Sequence, residues 1–243
     1  FEPFSLYCDQ ADKWLKDKST IMDFNNEEDQ YDWLVEEIQR CKDNTLYFCN
    51  KYGFIKEDKS QGGMLKYSAW EAQKVLFLFD CGYSFMIGKA RQIGFTTTMC
   101  LAGMKRVNLN KSYFIKFVTH SESKGIEIFR DKVKWTYTKI PDHIAQEVKN
   151  WTDKVMSFDK KGQKKGRDEG GASRFQVDSP QVDAINGGSP SAVFVDEIGL
   201  FDIFGEMMRE GRPALFKYNP GTGKMTMQQQ FMAWGTGGEM DKG

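Results

Sequence analysis

An apolar strand that stops at two adjacent carboxylates most narrows what this chain can fold into. In SAVFVDEIGLF (191–201) the run Ala192, Val193, Phe194 and Val195 is continuous rather than alternating, as expected of a central strand covered on both faces. Asp196 and Glu197 follow it directly. About a hundred residues upstream, SFMIGKARQIGFTTT (84–98) reads as a strand, a Gly-bounded loop and a helix start. Around these two segments strand and helix alternate. Strands are expected at 84–87, 113–118, 174–177, 192–195 and 230–234, and helices at 96–107, 121–139 and 201–211, the second stopping before Pro141. Such alternation predicts an α/β fold with a mainly parallel central sheet flanked by helices.

Residues 1–62 read as an N-terminal helical segment and 63–243 as the catalytic domain. In EEDQYDWLVEEIQRC (27–41), Tyr31, Leu34, Val35 and Ile38 recur at helix spacing and predict a helix. A break at SQGGM (60–64) precedes a second helical stretch, YSAWEAQKVLFLFDCGY (67–83), expected to pack on the sheet. The polar span 149–171, with KKGQKKGRDEGG at its centre, reads as an exposed loop.

Composition excludes several classes. Lys plus Arg and Asp plus Glu balance at 34 each, so the chain lacks bulk basicity and nucleic-acid contact would need a local patch. No apolar run reaches the roughly 18 residues of a membrane span, and FEPFSLYCDQ lacks the regions of a signal peptide, which predicts a soluble intracellular protein. Cys8, Cys41, Cys49, Cys81 and Cys100 are odd in number, show no CxxC spacing and have only His120 and His143 for company. That pattern fits reduced thiols better than zinc or disulfides. The start at Phe1 reads as a fragment of something longer.

The two opening segments together have the layout of a nucleoside triphosphate site. A triphosphate needs backbone N–H groups, a helix N-terminus and a cation, and Gly88, Gly94 and the helix entered at Thr96 supply the first two. The loop departs from the usual Gly, four residues, Gly, Lys and Ser or Thr, because Phe95 stands where the lysine is expected. Lys89 and Arg91 at the front of the loop are the candidate cations, with Ala90, Gln92 and Ile93 completing it and Thr97 beside Thr96. Thr96 and Asp196 are the candidate Mg²⁺ ligands and Glu197 the candidate base for the attacking water. A Gly-bounded turn with a surface lysine, and two carboxylates capping a helix, are the alternatives for each segment alone.

KARQIGFTT (89–97), DAINGGSPSAVFVDEIGLF (183–201) and WGTGGEMDKG (234–243) resemble, in order and spacing, three motifs of the large terminase subunit, the DNA-packaging motor of tailed bacteriophages. The resemblance covers roughly residues 65–243. It implies a P-loop ATPase fold, Mg-dependent ATP hydrolysis that drives viral double-stranded DNA into a procapsid, and a loop lysine at the front as Lys89 is here. It also implies a homo-oligomeric ring, a portal protein and a small terminase subunit as partners, no membrane, and a place in the host cell cytoplasm. By the same resemblance Gln73 in YSAWEAQKVL reads adenine with Trp70 as a packing neighbour, and Thr236, between Gly235 and Gly237, couples hydrolysis to movement. An ordinary amphipathic-helix glutamine and a Gly-rich turn remain the alternatives. The family often has an arginine where this chain has Asn186, so the cation that acts on the transition state must come from elsewhere, with Arg91, Arg130, Arg174, Arg209 and Arg212 as unranked candidates. The basic run 160–167 suits contact with DNA phosphates, or a merely solvated loop. A helicase-like translocase and a non-hydrolysing nucleotide-binding module are the rival functions; the family's nuclease domain is not expected within this chain.

Overall fold

A computed structural model describes residues 2–55, 63, 64, 70–90, 94–158 and 172–236. Its order is α1 (Glu2–Lys16), α2 (Glu27–Asp43), α3 (Thr45–Tyr52), β1 (Phe54–Ile55), β2 (Gly63–Met64), α4 (Trp70–Asp80), β3 (Phe85–Gly88), α5 (Phe95–Leu109), β4 (Phe114–Thr119), α6 (Glu122–Ile128), a π-helical turn (Phe129–Lys134) and α7 (Trp135–Tyr137). The chain continues through β5 (Val148–Trp151), β6 (Val155–Phe158), β7 (Arg174–Asp178), β8 (Ala192–Asp196), α8 (Phe204–Leu215), β9 (Phe216–Asn219), β10 (Lys224–Met227) and β11 (Gln230–Gly235).

The central sheet has seven strands in the order β3, β11, β8, β4, β7, β6, β5. The first five run parallel, as the alternating pattern predicts, and β6 and β5 add an antiparallel edge. That edge corrects part of the expected exposed loop at 149–171, because its short strands bury Met156, Ser157 and Phe158. The basic centre of that span, 160–167, lies outside the described residues, as do 60–62 of the expected break at SQGGM. A further hairpin, β9 with β10, was not signalled by the sequence.

Period-two alternation divides the sheet's apolar residues between two faces. Ala192 and Phe194 of β8, and Met232 and Trp234 of β11, join a large core with helices α1 to α5. Val193, Val195, Phe231 and Ala233 join a smaller core with Met207 and Leu215 of α8. Strand β8 is buried along its whole length, so the continuous apolar run has its expected cause.

The N-terminal helices share the larger core, through Ala11, Cys41, Leu46, Tyr47 and Phe48. Asn26 caps α2 by accepting from the Asp29 N–H at 2.8 Å, and Asn44 caps α3 by accepting from the Tyr47 N–H at 2.9 Å. The expected helix is present as α2, but its apolar stripe is not its buried face. Tyr31 and Val35 are exposed, whereas Trp33, Glu37 and Cys41 are buried. Glu37 misled the pattern because its carboxylate, though enclosed, accepts hydrogen bonds from Tyr47 and Tyr52 and pairs with Lys51. The expected helix 121–139 is present over Glu122–Tyr137 with the π-helical turn inside it, and the helix expected at 201–211 begins only at Phe204.

A second polar cluster ties these helices to α4 and α5. Lys105, wholly buried on α5, donates to the Lys42 carbonyl and the Thr45 hydroxyl, each at 2.8 Å, and lies 3.5 Å from Asp80. Asp80 also accepts from the Tyr7 hydroxyl at 2.8 Å, the Thr45 N–H at 2.6 Å and Arg106 at 3.0 Å. Burial holds the Lys105 ammonium below its ordinary pKa. Removing Asp80 leaves two cations without their shared anion, so Asp80→Ala is expected to lower unfolding free energy by about 3–5 kcal/mol in urea denaturation; a loss below about 1 kcal/mol would show the cluster to be dispensable.

Candidate active site

Parallel strands place their ligands beyond their carboxyl ends, and here three such ends lie side by side. Strand β11 runs between β3 and β8, so the loop after β3, the end of β11 and the carboxylates after β8 meet. The Lys89 N–H donates to the Gly235 carbonyl at 2.9 Å, which extends the β3–β11 pairing one residue into the loop. Gly235 itself must be small. A Cβ there would stand 2.8 Å from the Ile198 nitrogen and 3.2 Å from the Glu197 carbonyl carbon, both main-chain atoms that cannot swing aside.

Glu197 leaves β8 in the left-handed conformation (φ 56°, ψ 50°), which turns its side chain back toward the loop. There its two oxygens are held from opposite sides. Lys89 Nζ lies 2.6 Å from Oε1, and the Thr236 N–H and hydroxyl donate to Oε2 at 3.0 and 2.9 Å. Burial raises the Glu197 pKa, but the Lys89 ammonium and the two Thr236 donors outweigh it and hold the carboxylate below its ordinary range.

Asp196, the last residue of β8, is buried and accepts from the Thr96 hydroxyl at 3.0 Å. Burial, with the neighbouring Glu197 charge, raises its pKa against the opposing effects of Thr96, Lys89 and Trp234. The Trp234 indole donates to the same Thr96 hydroxyl at 3.2 Å. These groups fit Mg²⁺. Two oxygens 3.0 Å apart match neighbouring corners of an octahedron with ligands at roughly 2.1 Å, and a buried carboxylate kept from ionising freely is relieved by a divalent cation.

Gly94 stands just before helix α5 in the left-handed conformation (φ 75°) that favours glycine, and no side chain of that capping residue occupies the first N–H groups of the helix. Phe95, which replaces the usual lysine, is buried with its ring 5.4 Å from that of Trp234. It belongs to the aromatic layer under the loop. The sequence did not signal Lys132. It lies on the π-helical turn and donates to the Thr97 hydroxyl at 2.8 Å, adding a second cation beside the helix start. π-helical turns are frequent at functional sites, but nothing in the local sequence marks one here.

Gln73 lies on α4, where its side-chain oxygen is 3.8 Å from Cys8 Sγ on α1. Gly88 and Ala90 flank Lys89 at the loop entrance, both exposed. Arg91, Gln92, Ile93 and Gly237 lie outside the described residues, as does the side chain of Trp70. Among the described residues no group of three or more His, Cys, Asp or Glu is placed to hold a metal. No helix among them is long and apolar enough to cross a membrane.

No protein-family model matches the chain. Among solved structures it is similar to the ATPase domain of the large terminase of Thermus phage P74-26, with a TM-score of 0.43 and 15% identity over 64% of this chain and 59% of that one. An arginine-to-alanine variant of that domain is similar at a TM-score of 0.44 and 14% identity, over 65% and 60% of the two chains. The chain thus spans less than two thirds of the solved chains it resembles.

The ion pair makes a pH prediction with a definite sign. Because the folded-state pKa of Glu197 lies below its unfolded value, its contribution to stability is present at neutral pH and is lost as pH falls through the folded-state value. The Tm difference between the native protein and Glu197→Gln should therefore be largest near neutral pH and shrink below about pH 4.5. A difference that grows on acidification would contradict the pairing.

Proposed function

We propose that this chain is the ATP-hydrolysing motor domain of a large terminase subunit, in which Mg-dependent ATP hydrolysis drives viral double-stranded DNA into a procapsid. The observation that carries the reading is the double hold on Glu197, by Lys89 from the loop and by Thr236 from the end of β11. In a triphosphate site these three residues have the roles of phosphate cation, base and mechanical relay.

The chemistry follows from what each group does in the absence and presence of substrate. Without nucleotide, Lys89 neutralises Glu197 and occupies one of its oxygens. The β- and γ-phosphates of ATP carry more negative charge than one carboxylate and draw the Lys89 ammonium to themselves. Glu197 then regains a free oxygen and, without the adjacent cation, a higher proton affinity, both of which a general base needs. Water attacks the γ-phosphorus, its proton passes to Glu197, and the bond to the β-phosphate oxygen breaks to release ADP. The helix start at Thr96 and Thr97, with Lys132 behind it, orients the phosphates through N–H groups and positive charge. Mg²⁺ when bound would be held by Thr96 and Asp196 and would neutralise charge on the β- and γ-oxygens. Thr236 bonds the Glu197 oxygen opposite Lys89, so a shift of that carboxylate pulls directly on the end of β11.

The same reading assigns the chain double-stranded DNA, a portal protein, a small terminase subunit and a homo-oligomeric ring as partners, in the cytoplasm of the host cell. ATP turnover is expected to rise faster than linearly with protein concentration, since the arginine the family often carries is Asn186 here and a neighbouring subunit must supply the cation. Glu197→Gln should lower turnover by about 10²- to 10⁴-fold while Mg-ATP still binds, and Lys89→Ala should weaken binding itself. Tight Mg-ATP binding without turnover in the native protein, at any concentration, would instead favour a non-hydrolysing nucleotide-binding module. Absence of binding would refute the ATPase reading.

A further inference from the structure

The opposite end of the sheet carries a polar cavity that nucleotide chemistry leaves unused. Strands β4, β7 and β8 run parallel, so their amino ends lie about five residues, roughly 17 Å, from the ends that meet the loop. There an open cavity of about 760 Å³ is bordered by Ser112, Phe114, Lys149, Arg174, Gly188 and Ser189, among others, and none of the described residues in its lining is acidic.

Arg174 is the unsatisfied group in that lining. Its guanidinium carbon lies 3.8 Å from the centroid of the Phe114 ring, which covers one flat face, while its Nε is buried without a hydrogen-bond partner. No ion pair joins it to a carboxylate among the described residues. Arg106, whose Nε is also unpartnered, differs because its terminal nitrogen is 3.0 Å from Asp80. A buried charged donor without an acceptor is costly and rare in a settled fold. Nε is enclosed, but stacking on the ring leaves the in-plane terminal N–H groups, which pair with no carboxylate among the described residues, for an oxyanion.

The surrounding backbone points to the same conclusion. Ser112 (φ 56°) and Ser189 (φ 45°) are left-handed, and the one other such non-glycine among the described residues is Glu197 of the candidate active site. Strain of this kind gathers at ligand sites. Gly188 makes room for the guanidinium, since a Cβ there would stand 2.9 Å from the Phe114 ring and 3.1 Å from an Arg174 terminal nitrogen.

We propose that this cavity is a phosphate site, with Arg174 as its principal ligand. Its phosphate comes either from a nucleic-acid backbone or from a free polyphosphate, and in neither case does the site rest on the ATPase reading. The test compares the native chain with Arg174→Gln using two probes. One is a short fluorescein-labelled DNA duplex, read by anisotropy across a salt series; the other is radiolabelled pyrophosphate, measured with Lys89→Ala in both proteins to weaken the phosphate loop.

Loss of about tenfold in duplex affinity, with the salt slope reduced by about one and Tm preserved, would support the site and assign it to a nucleic-acid backbone. Unchanged duplex binding with a similar loss of pyrophosphate would support it and assign it to a free polyphosphate. Unchanged binding of both probes, or no binding of either by the unsubstituted site, overturns it. Should Arg174→Gln fail to fold, Ser189→Asp gives the same decision, because this exposed left-handed position tolerates aspartate and the added charge repels phosphate. It is expected to cause the same loss, and unchanged binding in it likewise overturns the site.

Discussion

The insertion of β11 between β3 and β8 is the constraint on which the rest of the structure depends. A strand bonded on both edges must match two neighbours in register, and β11 does so from Gln230 to Gly235. That register puts Gly235 beside Gly88 and Trp234 beside Asp196. It therefore brings the loop lysine, the carboxylates and Thr236 within hydrogen-bond reach, although they come from three separated parts of the chain. The close backbone approach at Gly235 and the left-handed turn at Glu197 are consequences of the same crowding. A side chain at Gly235 would push apart the two strand ends that hold the site together.

Beneath the site the structure is rigid for a different reason. Trp234 packs against Phe95, Phe117 and Phe194, at ring separations from 5.4 to 6.4 Å, and its indole N–H reaches Thr96. One residue thus fixes both the aromatic layer and the hydroxyl that faces Asp196. Aromatic contacts of this kind add to the area they bury. Farther down, the Asp80 and Lys105 cluster binds α1, α3, α4 and α5 together. The helical segment at the N-terminus is therefore packed into the larger core, and its polar contacts set how the helices meet.

Legibility from the sequence followed the physics of each element. Strands such as β4 and β8 were readable because burial on both faces leaves only apolar residues along most of their length, with Lys116 tolerated where its ammonium reaches the Ala184 and Asn186 carbonyls. Strand β5 was not, since an edge strand keeps polar residues such as Lys149 and Asn150 and looks like a loop, and the four residues of β6 beside it are too short a run to stand out. The buried face of α2 was not legible because a satisfied buried glutamate is indistinguishable from an exposed one until its tyrosine partners are in place. Lys132 was invisible for a similar reason: only packing of the π-helical turn against α5 brings it to Thr97.

By itself the sequence determined the alternation of strand and helix, the central strand with its two carboxylates, and the departure of the Gly-bounded loop, with Lys89 at its front and Phe95 at its end. These are local properties, written in periodicity, apolar runs and glycine placement. The tertiary structure alone decided that Lys89 rests on Glu197 rather than in solvent, that Phe95 serves the core, that Lys132 joins the helix start, and that Arg174 faces an open cavity with a donor unspent. Each of those depends on distance between residues far apart in the chain, which strand order and register set and which no local pattern encodes.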